Sequence, residues 1–223
     1  MTLRTIKNTL LAATCVAACT CAASANAGAF QNGSFEQSSF APGAVGNFAT
    51  LAAGSTAITG WTVTGGGIDY INTYWNAADG AYSLDLSALS AGGVEQTFDT
   101  VLGQAYLVDF FLAGNPDGGL GVRSEVTSAT GGLNQTNLFV VAGGNTRANM
   151  GWTRYSYSFT ATGASTTLSF ASNENNPYGP ALDNVSVTAA GVPEPASWAL
   201  MMVGFGGLGA VLRSRRRAEA QGA

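Results

Sequence analysis

Between residues 28 and 190 the chain reads as short alternating or wholly apolar runs, each closed by Gly, Asn, Asp or Pro. That rhythm predicts strands joined by tight turns. The runs fall at 58–64, 68–71, 82–85, 93–99, 105–113, 120–127, 138–142, 152–161, 166–171 and 182–188. Tyr155-Ser156-Tyr157-Ser158-Phe159 and Leu182-Asp183-Asn184-Val185-Ser186-Val187 alternate with period two, as half-buried antiparallel strands do. No helical i, i+3, i+4 pattern of useful length interrupts them. About ten short strands in one domain-sized stretch predict an all-β fold, a two-sheet β-sandwich of jelly-roll type. Its expected core includes Trp61, Phe98, Phe110, Phe111, Trp152, Phe159, Phe170 and Val185.

The two ends have a different pattern. Arg4 and Lys7 precede the apolar run 10–18, and Ala25-Asn26-Ala27 forms a small-x-small cleavage site, so 1–27 is expected to be a signal peptide and Gly28 the mature start. Val16-Ala17-Ala18-Cys19 leaves open a lipoprotein alternative in which Cys19 carries the lipid. At the other end, 191–223, Val192-Pro193-Glu194-Pro195 leads into the uncharged segment 196–212 and then Arg213-Ser214-Arg215-Arg216-Arg217. Seventeen residues is near the lower limit for a membrane-spanning helix. The arginines are expected to stay cytoplasmic, which places the preceding domain on the far side.

Charge narrows the partners. The stretch 28–190 carries three arginines (Arg123, Arg147, Arg154), no lysine and eleven carboxylates, a net charge of −8. Such a surface repels nucleic acid and anionic membranes. The whole chain lacks histidine, the commonest general base, and its three cysteines (Cys15, Cys19, Cys21) all lie in the leader. A serine–histidine triad, a cysteine nucleophile, a Schiff-base lysine and disulfides are thereby excluded from the domain. Of the enzymes considered, only a carboxylate-based glycoside hydrolase built on Asp79, Asp85, Asp99 or Asp109 remains, and the non-enzymatic reading is preferred.

The tail resembles the PEP-CTERM sorting signal of Gram-negative bacteria: motif 192–195, apolar span 196–212, basic cluster 213–217. That resemblance implies export across the inner membrane and recognition by an exosortase-type processing enzyme. It also implies an association with exopolysaccharide and biofilm at the cell surface or in the matrix. Within the domain, Asn32-Gly33-Ser34-Phe35-Glu36, Gly60-Trp61-Thr62-Val63, Asp79-Gly80-Ala81-Tyr82 and Gly179-Pro180-Ala181-Leu182-Asp183-Asn184-Val185 resemble "choice-of-anchor C" domains. They are also similar to plant cell-wall domains of unknown function and to galactose-binding-like carbohydrate-binding modules. The last resemblance implies a structural calcium joining the first and last strands, with Glu36 and Asp183 at the matching positions.

Sugar binding needs an exposed aromatic face for the apolar side of a pyranose and planar polar groups for its hydroxyls. The segment 69–76 supplies Tyr70, Tyr74, Trp75 and Asn76, and 173–179 supplies Tyr178 on a second polar loop. Two readings stand at this point. In one, the sandwich binds extracellular polysaccharide without chemistry; in the other, it is a structural surface or biofilm protein acting through protein contacts.

Overall fold

A computed structural model describes residues 27–39 and 47–190. The leader, the motif Val192-Pro193-Glu194-Pro195, the apolar segment 196–212 and the arginines of 213–217 lie outside the described residues. Within the described residues no helix is long and apolar enough to cross a membrane.

Eleven strands are divided between two antiparallel sheets: β1 Phe48–Leu51, β2 Thr62–Gly65, β3 Ile68–Asn72, β4 Tyr82–Asp85, β5 Gly92–Asp99, β6 Ala105–Gly114, β7 Gly121–Ala129, β8 Leu133–Val141, β9 Thr153–Thr160, β10 Ser165–Ser172 and β11 Pro180–Ala189. One sheet has the order β1-β3-β4-β11-β6-β9, the other β2-β5-β10-β7-β8. The all-β two-sheet sandwich expected from the alternation is the fold observed. All ten expected strands are present, and two differences have physical causes. Strand β1 went unread because three of its four residues are not buried, so it shows no core signature. Strand β8 starts at Leu133 rather than 138, because Asn134, Gln135 and Thr136 are exposed on an edge strand and read as loop.

The inward faces make one core. Phe110 meets Phe170 edge-on across the two sheets with centroids 5.0 Å apart. Trp61 packs on Phe170 and Phe35, and its indole N–H donates to the Asn32 carbonyl at 2.9 Å. Two expected core residues are placed elsewhere. Phe111 follows Phe110 and so points to the opposite, outer side of its sheet, where it is only half-buried. Trp152 precedes β9 and packs against the core margin, donating its indole N–H to the Asn76 carbonyl at 2.9 Å. The alternation in β11 is broken by a bulge between Asp183 and Ser186, at which Asn184 takes φ 48°. The bulge turns the Val185 N–H to the Gly33 carbonyl (2.8 Å), tying the N-terminal strap to the last strand. A Cβ on Gly33 would lie 1.7 Å from the Val185 oxygen, so only glycine allows that approach.

The open edge at β8 and β9 is closed by tyrosines. Tyr155 donates its hydroxyl to the Leu138 carbonyl (2.8 Å), and Tyr157 to the Asn137 side-chain oxygen (2.5 Å). Behind them Glu125 is fully buried between the sheets, accepting from Thr127 Oγ1 (3.0 Å) and Asn137 Nδ2 (2.7 Å). Burial pushes its carboxyl up to about 8, outweighing those hydrogen bonds.

The sandwich has two poles. The described chain enters at one of them, where the Ala27 and Gly28 amides donate to the Asp99 carboxylate, and leaves at the same pole, where the Ala190 amide donates to the Ala105 carbonyl. Strands β6 and β11 run from there to the opposite pole, where the 73–78, 115–119 and 173–179 segments gather.

Candidate functional site

At the far pole, on the outer face of the six-stranded sheet, a cleft of about 170 Å³ is lined by Phe48, Asp69, Ile71, Tyr74, Trp75, Asp85, Asn115, Asp117, Pro177 and Tyr178. Its floor follows from strand register. Asp69 of β3 and Asp85 of β4 are direct antiparallel partners, so both side chains rise from the same face of the sheet. Asp85 is buried and fully engaged: Oδ1 accepts from the amides of Ser87 (3.0 Å) and Gly179 (3.1 Å), and Oδ2 from Asn115 Nδ2 (2.8 Å). Desolvation nevertheless pushes it up to about 8, with the neighbouring Asp69 adding to the shift. Asp69 is raised as well, chiefly by burial, while a hydrogen bond from Thr50 Oγ1 opposes the shift.

Glycine sets how closely the walls approach this floor. A Cβ on Gly179 would fall 2.4 Å from Asp85 Oδ1, and one on Gly118 would fall 2.4 Å from Tyr178 Cβ. Without side chains at these two positions, the 176–179 loop lies directly on the floor and Tyr178 lies against the 115–119 turn. That turn is built by Asn115-Pro116-Asp117-Gly118, with Asn115 Oδ1 accepting the Asp117 amide (2.9 Å) and Pro116 opening a short 3-10 turn.

One rim is a clamp. Asp117 accepts from Tyr74 Oη (2.6 Å) and from Arg147 Nε (3.1 Å) and Nη2 (2.7 Å). The Arg147 guanidinium also lies over the Tyr74 ring, 3.9 Å from its centroid, and its Nη2 donates to the Tyr74 hydroxyl. Burial opposes ionisation of Asp117, but Arg147 and Tyr74 together hold its carboxyl below the usual range. Tyr74 is raised, chiefly by burial. Two aromatic rings remain open beside the clamp: Phe48, 36 % exposed and edge-on to Tyr74 at 5.2 Å, and Tyr178, 40 % exposed.

The sequence-expected sugar contacts divide. Tyr74, Trp75 and Tyr178 line the cleft, Trp75 from beneath. Asn76 is exposed nearby but tied back, its side chain donating to the Ala148 carbonyl (2.8 Å). Tyr70 and Trp75 require correction as stacking platforms. Tyr70 is 0 % exposed, points with Ile68 into the core and donates its hydroxyl to the Phe35 carbonyl (2.7 Å). Its hydroxyl is pushed up to about 12 by burial. Trp75 is 2 % exposed, packed under the loop with its indole N–H on Ser83 Oγ (2.8 Å). Phe48, Asn115, Asp117 and Arg147 were not singled out as site residues by the sequence. The turn chemistry of 115–118 and the scarcity of arginine were the available signals.

The expected calcium ligands both reach the 78–82 strap. Glu36 Oε1 accepts from the amides of Ala81 and Tyr82 (both 2.8 Å). Asp183 Oδ2 accepts from those of Ala78 (2.7 Å) and Asp79 (2.9 Å), and Oδ1 from Asn184 (2.6 Å). Burial pushes Asp183 up to about 7 despite these donors. Among the described residues no group of three or more Asp, Glu, His or Cys is placed to hold a metal. Both carboxylates are engaged by backbone amides, so the strap is joined to the first and last segments by carboxylate–amide hydrogen bonds.

Known proteins resemble the chain in parts. Residues 28–188 match the family described as "Protein of unknown function (DUF642)", and residues 191–217 match the PEP-CTERM protein-sorting motif. Halomucin of Haloquadratum walsbyi (strain DSM 16790 / HBSQ001) is 31 % identical over 150 residues, covering 66 % of this chain and only 2 % of that protein. Among solved structures, TmCBM61 in complex with beta-1,4-galactotriose is 15 % identical with a TM-score of 0.43, covering 73 % of this chain and 99 % of that one. CBM35 from Paenibacillus barcinonensis is 18 % identical with a TM-score of 0.41, covering 64 % and 99 %. These structural likenesses concern the sandwich alone. The sorting motif marks the chain for export and exosortase sorting at the cell surface. Matched over most of its length, the chain belongs to the DUF642 family.

Proposed function

We propose that this is an exosortase-sorted surface or matrix protein whose sandwich binds extracellular polysaccharide, without chemistry, in the far-pole cleft. One observation carries the reading: two open aromatic rings, Phe48 and Tyr178, frame a cleft whose polar groups, Asp69, Asn115 and Asp117, are fixed by neighbours. Fixed polar groups beside an apolar face are what a hydroxylated ring requires. The position supports it too. The ten residues of β11 separate the cleft from Ala190, after which the sorting motif begins, by about 30 Å. A protein attached through its C-terminal segment then presents the cleft outward. The test is affinity electrophoresis of the exported domain through gels containing polysaccharide extracted from the host. Retardation abolished by Tyr178→Ala with an unchanged Tm supports the reading; equal retardation of that variant sinks it. Release of reducing ends during the same incubation would convert it into the hydrolase alternative.

A second reading is favoured by the other sheet. Val122, Leu138 and Val140 lie exposed together on the outer face of β7 and β8, with Leu120 beside them. Such a patch suits protein contact, and a structural role would run through it. Sedimentation velocity distinguishes the two: concentration-dependent association lost in Leu138→Asn, with no glycan retained, favours the structural reading.

A further inference from the structure

We propose that the cleft accepts uncharged pyranose residues and turns away glycans bearing carboxylate or sulfate groups, an inference that rests on the polysaccharide-binding reading. The side chains lining it include the carboxyl groups of Asp69, Asp85 and Asp117 and no cation, Asp85 being held in its protonated form by burial; the adjoining guanidinium of Arg147 is already paired with Asp117 at 2.7 Å and stacked on Tyr74. The domain's other two arginines are engaged away from the cleft. Arg154 pairs with Asp109 at 2.8 Å. Arg123 is buried, with its Nη donors turned to the carbonyls of Val122, Asn115 and Gly119. There is no lysine or histidine in 28–190 to take their place.

Hydrogen-bond direction agrees with charge. The Asp69 and Asp117 carboxylates are acceptors and require donors from a ligand. A hexose residue supplies a hydroxyl donor at each unlinked position. A uronate replaces its hydroxymethyl donor with a carboxylate, which is acceptor-only and negatively charged, and a sulfate ester does the same at the esterified hydroxyl. Placed against Asp69 or Asp117, either group leaves acceptors facing acceptors across a partly desolvated gap, where like charges repel more than in bulk water. The open rings of Phe48 and Tyr178 favour the same ligand class, because the apolar face of a neutral pyranose covers an aromatic ring without desolvating a charge. Outside the cleft, a net charge of −8 over 28–190 repels any polyanion before contact.

The test uses polysaccharide from the host, divided by anion exchange into neutral and acidic fractions, with two pairs of commercial probes: hydroxyethyl cellulose against carboxymethyl cellulose, and dextran against dextran sulfate. Affinity electrophoresis of the exported domain is expected to show at least about tenfold tighter retention by the neutral member of any pair that binds. The gap should narrow in 0.5 M NaCl, where the screening length falls to about 4 Å. In Asp69→Asn, which keeps the side chain's shape and removes one charge, the ratio of neutral to acidic retention should fall at least about threefold, whatever the change in retention of the neutral probe itself. Equal or tighter retention by the acidic members overturns the selectivity and leaves the binding reading standing. Retention by no fraction and no probe sinks the binding reading, and this inference with it.

Discussion

The outer faces of the two sheets are made by the same alternation yet differ in what covers them. On the six-stranded sheet, Asp69, Ile71, Ser83, Asp85 and Asp183 lie beneath or beside the 73–80 and 176–179 segments, and three of these five are buried polar groups. On the five-stranded sheet none of the described residues forms a comparable cover. Thr97 and Thr167 pair hydroxyls at 2.8 Å, Ser128 and Ser169 at 2.7 Å, and the surface continues to the apolar patch on β7 and β8. Cover, rather than composition, separates a cleft from a flat face. Loops laid over a strand's polar side convert solvated carboxylates into desolvated, positioned ones, whereas hydroxyls left in water serve mainly to keep the sheet soluble.

The largest effect should come from obstructing the cover. In Gly179→Ala the new methyl meets Asp85 Oδ1 at 2.4 Å and Ser87 Oγ at 2.6 Å, both held in place by hydrogen bonds. A loss of about 2–3 kcal/mol in urea denaturation is expected, from overpacking a rigid site. Thr167→Ala on the flat face removes one exposed hydroxyl contact and should cost under about 0.5 kcal/mol. Comparable losses at the two positions would mean that the covered face is no more constrained than the bare one.

Next in size is the pH dependence. Burial raises Asp85 and Glu125 to about 8 and Asp183 to about 7, so the folded protein holds protons that the unfolded chain has released. The contribution of each group is complete below its unfolded pKa, near 4, and disappears as pH rises through 7 to 8. Tm should therefore fall between pH 5 and pH 9, by several degrees. Glu125→Gln, between the sheets, should flatten that slope in part; the remainder belongs to Asp85 and Asp183 on the covered face. A Tm that rises from pH 5 to 9 would contradict the burial of all three.

These differences mark the limit of what the chain's pattern discloses. Strand positions were legible because alternation is a local property of consecutive residues. So was the placement of Tyr70, in principle: period two puts it on the face of Ile68, which is inward. Trp75 gave no such signal, since it lies outside any strand. The cleft was not legible because Phe48, Asp69, Asn115, Asp117, Arg147 and Tyr178 come from distant segments, and only sheet order brings them to one pole. The same holds for carboxylates: Asp85 and Asp109 look alike in sequence, yet one is sealed under Gly179 and the other pairs with exposed Arg154.

The smallest expected effect is that of chelation, and it probes the covered face at its margin. Glu36 and Asp183 take up the four amides of Ala78, Asp79, Ala81 and Tyr82, so hydrogen bonds already join that strap to both ends of the domain. Gly80, at φ 67° and with Glu36 Oε1 only 2.3 Å from where a Cβ would sit, lets the strap approach closely enough. On this geometry EDTA should shift Tm by less than about 1 °C, whereas a calcium site filled at a hundred times its Kd would stabilise the fold by about 2.7 kcal/mol and shift Tm by several degrees. Differential scanning fluorimetry at 1 mM calcium and at 1 mM EDTA separates the outcomes. A large calcium-dependent shift removed by Asp183→Asn would mean that the strap rearranges to expose carboxylate oxygens to a metal, and that the covered face is held by an ion where the hydrogen bonds now stand.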